Sequence, residues 1–236
     1  MFQLRISLTF ILLILSLAVK AQEESGYAVK YDSTIHNKWA PSGVRFGIDI
    51  AGPIYNLFEP KISNFEATAD IDFSKFFVVV EMGQGAYNST ETITNYTNSG
   101  YFFRFGADVN MTSKDANLNA LYFGLRYATS SFSEKLLATI PDSGWGETFV
   151  SEEQDKSRAN WVEMNIGMRI RISNSFFAGY VIRFKLLKHN TYSENKFEPY
   201  FIPGYGVASN KTNWGLSYFI QYRIKWKKKP ITWRED

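Results

Sequence analysis

Cysteine is absent from this 236-residue chain, and histidine occurs only twice, as His36 and His189. Without cysteine, neither a disulfide-stapled scaffold nor a lipid-modified N-terminal cysteine is possible. Two distant histidines provide no metal-ligand spacing, so no metal site is expected. The chain also lacks a glycine-rich phosphate loop and a nucleophile elbow, and we therefore expect no cofactor.

Long apolar runs are also scarce. The main one lies within residues 1–21 and has Arg5 near its start. Its core of about 14 residues is too short for a spanning helix and is typical of a cleavable secretory signal. We expect cleavage after Ala21, with an uncleaved anchor as the alternative.

Charge of one sign is in small excess, with 26 basic and 23 acidic residues. Removing residues 1–21 takes away Arg5 and Lys20, which leaves 24 and 23, formally +1. A near-neutral chain argues against a nucleic-acid partner and against polybasic membrane binding. The remaining length suits one all-β domain, expected over residues 43–226, with periplasmic segments at 22–42 and 227–236.

The residues from Trp214 to Trp226 alternate strictly between large apolar and mostly polar side chains. Period two predicts a strand with one apolar face. The same pattern predicts eight strands, near 43–51, 64–73, 76–86, 100–110, 119–128, 160–172, 176–187 and 213–226. None of their apolar faces carries a charged residue.

The predicted connections alternate between short turns and long loops. The loops after strands one, three, five and seven are long, and the third covers 129–159 and the fourth 188–212. This alternation is typical of an up-and-down transmembrane barrel with periplasmic turns and extracellular loops. Soluble eight-stranded barrels also alternate, but their apolar face points inward.

Glycines distinguish the two kinds of barrel. The predicted strands carry them on the polar face: Gly47, Gly83, Gly85, Gly106, Gly124, Gly167, Gly179 and Gly215. The interior of an eight-stranded barrel is crowded, so the face that needs glycine is the inner one. The apolar face is then outside, and Trp214 to Trp226, tilted by about 45°, spans roughly 28 Å of bilayer.

The inner face should hold charges of both signs. We predict a lumen charge network of Arg45, Asp49, Glu66, Asp70, Glu81, Arg104, Asp108, Arg126, Glu163, Arg169, Arg183 and Arg223. Isolated buried charges are costly, so ion pairs that fill the lumen are the main interpretation. A proton path or a narrow pore is the alternative, although inward aromatic residues such as Phe77 and Trp161 leave little space.

Aromatic residues are concentrated in the third and fourth long loops. A partner-binding surface is predicted at Trp145, Phe149, Phe197, Tyr200, Phe201, Ile202 and Tyr205. Such rings must bury against something, since exposed aromatic patches mark interaction sites. The partner would be another outer-membrane or periplasmic protein. Alternatively, the two loops pack on each other as a cap over the barrel mouth.

Catalysis is a further possibility, because His189 lies near Ser193 and Glu194 at the height of the outer rim. A small lipid-modifying enzyme would use such a trio. Polar loops contain these residues by chance, so we predict no enzymatic activity and no catalytic residue.

Three stretches, "ALYFGLRYATSSFSEKL", "WVEMNIGMRIRISNSFFAGYVIRFKLLKHN" and "YFIPGYG", resemble an uncharacterised family of bacterial outer-membrane β-barrels. The resemblance covers most of 43–226 and implies the fold and the outer membrane of a Gram-negative cell. It implies no catalytic residues. Many such barrels end on an aromatic residue, whereas "KKKPITWRED" follows Trp226 here. The expected function is that of a structural or interaction barrel in contact with outer-membrane lipid.

Overall fold

The computed structural model describes residues 41–73, 75–113, 115, 118–140, 144, 148–191 and 198–225. The expected signal peptide at 1–21, nearly all of the segment 22–42 and the tail 227–236 lie outside these residues, as does Trp226. Among the described residues, no helix has the length and apolar character needed to cross a bilayer.

Eight antiparallel strands form a closed barrel, in which each strand pairs with the next barrel strand along the chain and the last pairs with the first. Their bounds are Gly43–Asp49 (β1), Ile62–Asp72 (β2), Phe76–Thr90 (β3), Thr94–Asn110 (β4), Ala120–Ile140 (β5), Thr148–Arg171 (β6), Phe176–Thr191 (β7) and Thr212–Lys225 (β10). Two short strands, β8 (Phe201–Ile202) and β9 (Gly206–Val207), pair separately. The predicted eight-stranded, antiparallel, up-and-down β-barrel is confirmed.

The outer face of the barrel is a continuous apolar belt. Its exposed members include Phe46, Ile48, Phe65, Val78, Met82, Phe103, Phe105, Leu121, Leu125, Ile166, Ile182, Leu216, Ile220, Tyr222 and Ile224. An apolar belt of this extent is unfavourable in water, because large exposed apolar patches aggregate or bind partners. It is the lipid-facing surface of a transmembrane barrel.

The inner face is polar and charged, with aromatic side chains packed among the charges. Phe77, Phe102, Tyr122, Trp161, Phe177 and Phe219 are all buried inside. Glycine makes room for them: a Cβ at Gly167 on β6 would collide with the ring of Tyr122 on β5. The inward glycines therefore reflect crowding in the lumen.

Strands β3 to β7 are longer than their apolar pattern predicts, and the additional residues lie at the end of the barrel with the long loops. The predicted third loop, 129–159, is mostly a β-hairpin, since β5 continues to Ile140 and β6 begins at Thr148. In this part, side chains that point away from the lumen are polar, such as Ser131, Ser133 and Lys135. Beyond the membrane both faces of a strand meet water or polar groups, so the pairing persists after the apolar alternation has ended.

A short helix, α1 (Ala51–Phe58), follows β1 and was not predicted. Proline cannot donate a hydrogen bond in a central strand, whereas Pro53 fits the first turn of a helix. Asp49 caps this helix, because its carboxylate accepts hydrogen bonds from the backbone N–H groups of Ala51 (3.1 Å) and Gly52 (3.0 Å). The wall strand therefore stops at Asp49 while β2 and β10 continue outward.

Candidate functional site in the lumen and mouth

The centre of the lumen holds a cluster of arginines and glutamates. Arg104 on β4 contacts the carboxylates of Glu66 at 2.7 Å and Glu163 at 2.9 Å. Arg183 on β7 reaches the same Glu66 at 2.7 Å and Glu81 on β3 at 3.1 Å. Each carboxylate is thus shared between guanidinium groups that come from different strands.

Arg126 on β5 extends this cluster toward the end of the barrel that has the short turns. It pairs with Glu81 and also, at 2.9 Å, with Asp108 on β4. Its side chain is buried. The central cluster is therefore continuous across β2 to β7.

A second layer of ion pairs lies below the central cluster. Arg45 contacts Asp70 at 2.5 Å and Asp72 at 3.5 Å, and Arg169 contacts Asp70 at 3.0 Å. Arg223 reaches Asp72 at 3.5 Å. The ring of Phe77 lies under both Arg45 and Arg169, with centroid distances of 4.6 Å and 5.0 Å, and adds cation–π attraction.

Eleven of the twelve predicted network residues take part in these ion pairs, and the exception is Asp49. Asp49 is buried, but its carboxylate accepts N–H groups from α1 and from Tyr218 on β10, at 2.8 Å. Its inclusion in the charge network was therefore wrong. A period-two pattern shows that a residue points inward but not whether the chain ends its strand there.

The paired charges occupy the lumen and neutralise one another through ion pairs. A buried carboxylate without partners is very costly, and shared guanidinium groups offset that cost. Arg45, Arg104, Arg126 and Arg183 each contact more than one acid, so loss of one member leaves several others unbalanced. Within the described part of the chain, no group of acidic or histidine side chains has the arrangement of a metal site.

The barrel mouth is filled by the segment that carries β8 and β9, which we call the inserted loop (residues 200–208). Phe201, Ile202 and Tyr205 are buried in it. Ile202, Tyr205 and Ala208 pack against wall residues that include Phe102, Phe132 and Trp161. The rings of Trp161 and Tyr205 meet edge to face, with centroids 5.6 Å apart.

Charged and polar wall residues bind the backbone of the inserted loop. The Lys185 ammonium donates to the carbonyl oxygens of Gly204 (2.8 Å) and Tyr205 (3.2 Å). Asn98 donates to the carbonyl oxygen of Phe201 at 2.9 Å. Burial raises the pKa of the Tyr205 phenol. Its hydroxyl donates to the carbonyl oxygen of Asn210 at 2.7 Å.

The predicted partner-binding residues separate into two sets. Phe201, Ile202 and Tyr205 contact the barrel interior, so the hypothesis that they bind a partner does not hold in this conformation. Phe149 and Tyr200 are exposed, at 76% and 51%. Trp145 and Phe197 lie outside the described residues. The described part of the fourth loop thus places Phe201, Ile202 and Tyr205 in the mouth and leaves Tyr200 on the surface.

A polar cluster near the mouth was missed in the sequence. The Tyr96 hydroxyl donates to Glu134 at 2.5 Å, and the Gln154 amide donates to the same carboxylate at 3.0 Å. These residues lie on the parts of β4, β5 and β6 that were predicted to be loops. Their inward direction becomes visible only once the strands are extended outward.

His189 lies near the end of β7 and is exposed. It pairs in register with Asn160 on β6. The other members of the trio considered for catalysis, Ser193 and Glu194, lie outside the described residues, as does His36.

Comparison with solved structures finds similarity to the crystal structure of Acinetobacter baumannii CarO2. The TM-score is 0.39 and the sequence identity 10%, over 80% of this chain and 100% of CarO2. No protein of curated function matches the chain in sequence. A family model described as "Domain of unknown function (DUF6048)" matches residues 1–229. The chain therefore belongs to the DUF6048 family.

Proposed function

We propose that this protein is a non-enzymatic outer-membrane β-barrel that serves as a structural or protein-interaction component of the cell envelope. One observation carries the proposal: the inside of the barrel is filled, while part of its wall continues beyond the membrane. Arg104, Glu66 and their neighbours occupy the centre, and the inserted loop occupies the mouth. A barrel of this kind acts through its outer surfaces.

The filled lumen argues against the narrow pore. A conducting path needs mobile water or ions, whereas here the charges are paired with one another and apolar rings lie above them. Catalysis has little support either. An active site needs a base within a sheltered pocket, and His189 is exposed near the end of β7.

The end of the β5–β6 hairpin is the surface best suited to a protein partner. Thr139 pairs with Phe149 in register, and Ile140 pairs with Thr148. Phe149 is 76% exposed, and Leu137 and Ile140 are exposed as well. An apolar tip on a paired, ordered hairpin loses little conformational entropy on binding. We therefore assign docking to this tip.

Photo-crosslinking in intact cells tests the proposal. A photoreactive phenylalanine analogue at Phe149 should form an adduct with one defined protein. The same analogue at Tyr101, which is 69% exposed on the outer wall of β4, is the matched control and should label lipid. Phe149→Ala should then abolish an adduct formed from Leu137 without changing barrel stability. Absence of a protein adduct at both tip positions would contradict the proposal.

A further inference from the structure

Two aromatic rings mark the outer membrane interface on one side of the barrel. Phe184 on β7 pairs in register with Trp214 on β10, and their ring centroids are 4.9 Å apart. Trp214 is 71% exposed. Aromatic side chains that face outward near strand ends lie at the level of lipid headgroups, because their rings suit a boundary between apolar and wet surroundings.

Three exposed basic residues lie just beyond this aromatic pair: Arg158, Lys188 and Lys211. We call them the basic patch. Lys188 is four residues beyond Phe184 along β7, which on a strand tilted by about 45° corresponds to roughly 9 Å in height. The headgroup layer extends about 5–8 Å above the hydrocarbon. A lysine side chain at Lys188 therefore reaches that layer.

The hydrogen-bonding pattern places the backbones of the three residues of the basic patch on adjacent segments of the rim. The backbone N–H of Leu187, next to Lys188, donates to the carbonyl oxygen of Lys211 at 3.0 Å. Arg158 is two residues beyond Asn160 on β6 and so faces the same side, and Asn160 pairs with His189 on β7. Diagonal neighbours on a sheet are within reach of long side chains.

The register also shifts at this point. Asn160 pairs with His189 and Trp161 pairs with Leu187, which leaves Lys188 as an extra residue on β7. Such a bulge redirects side chains and is common at barrel rims. Here it places an additional cation in the wall just above the aromatic pair.

Toward the membrane, the described outer wall below the basic patch has no acid that would offset these charges, and the exposed acids of β6, Glu152, Glu153 and Asp155, lie farther from the membrane than Arg158. Neither β7 nor β10 contains aspartate or glutamate. From Arg158 onward, the outward positions of β6 are asparagine, valine, methionine and isoleucine. The opposite side of the rim differs, because Lys61 there lies 3.9 Å from the carboxylate of Glu91. The basic patch is therefore a one-sided excess of positive charge at headgroup height.

We propose that Arg158, Lys188 and Lys211 bind a phosphate group of lipid A, the phosphorylated and multiply acylated glycolipid of the outer leaflet. Arginine holds phosphate oxygens with two parallel N–H bonds, and the lysines add point charges. The acyl chains run down the wall past Phe184, Trp214 and Leu216, which continues the lipid-facing belt. This assignment rests on the proposed location in the outer membrane, with the long loops outside.

The position of the basic patch selects a lipid over other phosphate compounds. A soluble phosphate compound would need an enclosed site, whereas these three residues are exposed at the rim, next to strands whose lipid-facing side chains Trp214 and Leu216 are exposed and apolar. A ligand with both a phosphate and acyl chains can contact the basic patch and the apolar wall at the same time. Lipid A offers two phosphates and therefore more charge than a phospholipid.

Binding of fluorescent diphosphorylated lipid A to the purified full-length barrel in neutral detergent tests this proposal. The triple variant R158Q/K188Q/K211Q should bind at least about tenfold more weakly, because charge-assisted hydrogen bonds are lost. Lys61→Gln, a lysine on the opposite side of the rim, is the matched control and should bind like the wild type. Thermal unfolding of each variant verifies that the barrel is intact.

Dephosphorylated lipid A should bind to the wild type as weakly as diphosphorylated lipid A binds to the triple variant. Equal binding by the wild type and the triple variant would overturn the site. Equal competition by phosphatidylglycerol would overturn the assignment to lipid A, since any anionic headgroup would then suffice. Binding in micelles does not depend on which end of the barrel faces the cell exterior, so this assay tests the lipid site alone. Failure of the proposed outward orientation appears separately in cysteine labelling of cells.

Discussion

Arg104 donates a hydrogen bond from Nη2 to the carbonyl oxygen of Gly204, 3.0 Å away. The same guanidinium contacts Glu66 and Glu163 through its other nitrogens. The inserted loop and the charge network are therefore one connected unit. Displacing the loop would remove a partner from Arg104, so stability of the mouth and stability of the lumen are coupled.

Substitution at Gly204 should displace the inserted loop. Gly204 has φ +80°, and a Cβ there would collide with the ring of Phe102. Strain and overlap together should lower the free energy of unfolding of Gly204→Ala by about 2–4 kcal/mol, measured by denaturant unfolding in detergent.

Gly144→Ala is the matched control for Gly204→Ala. Gly144 also has positive φ, +103°, but its Cβ would have no atom within 4 Å. It should lose only the strain contribution, about 1 kcal/mol. Equal losses in the two variants would show that overlap of the new methyl group with the ring of Phe102 does not lower the free energy of unfolding.

Glu81→Gln should be severely destabilising. Glu81 is shared by Arg104, Arg126 and Arg183, and removing its charge leaves guanidinium groups buried and underpaired. Breaking a buried pair on one side costs about 3–5 kcal/mol. Glu91→Gln, which removes the exposed contact to Lys61, should cost about 0–1 kcal/mol. Similar unfolding midpoints for both variants would refute a stabilising role for the network.

Cysteine labelling should reveal the orientation of the barrel, because the wild type has no cysteine. Ser151→Cys on the hairpin and Ser209→Cys in the fourth loop are exposed and should react with an impermeant maleimide in whole cells. Asn174→Cys in the turn between β6 and β7 should react only after permeabilisation. The opposite pattern would invert the topology.

Replacement of His189 should leave covalent lipid modification unchanged. His189→Ala cells, deletion cells and wild-type cells should have the same acyl-chain profile by mass spectrometry, because we propose that the barrel has no catalytic role. Loss of one acyl modification in both His189→Ala and deletion cells would instead establish the lipid-modifying enzyme. His36→Ala serves as the control for a histidine far from the rim in sequence.

Strand number, strand order and the direction of each face follow from local sequence. Lipid and lumen impose opposite polarity on successive residues, so Phe46, Ile48 and Arg45 could be assigned to a face without knowledge of any contact. The crowded lumen of a small barrel restricts inward positions such as Gly167 to glycine, which also can be read locally. The alternation of polarity likewise indicates which charged residues point into the lumen.

Contacts between distant strands depend on the closed barrel. Arg183 meets Glu66, 117 residues earlier, because closure and register bring β7 and β2 to the same height in the lumen. Period two carries no information about which inward charges meet. The role of Asp49 as a helix cap also required the end of β1 to be known.

The aromatic residues of the fourth loop show the same division. Their composition indicated burial against some surface, since rings such as Phe201 and Tyr205 gain free energy when removed from water. The surface itself consists of Phe102, Phe132 and Trp161 from β4, β5 and β6. Alternating polarity indicates what each strand residue faces, because every residue of a membrane-spanning strand faces either the lipid or the lumen. Only the tertiary structure decides which loop fills the mouth, because that depends on the shape that three separate strands form together.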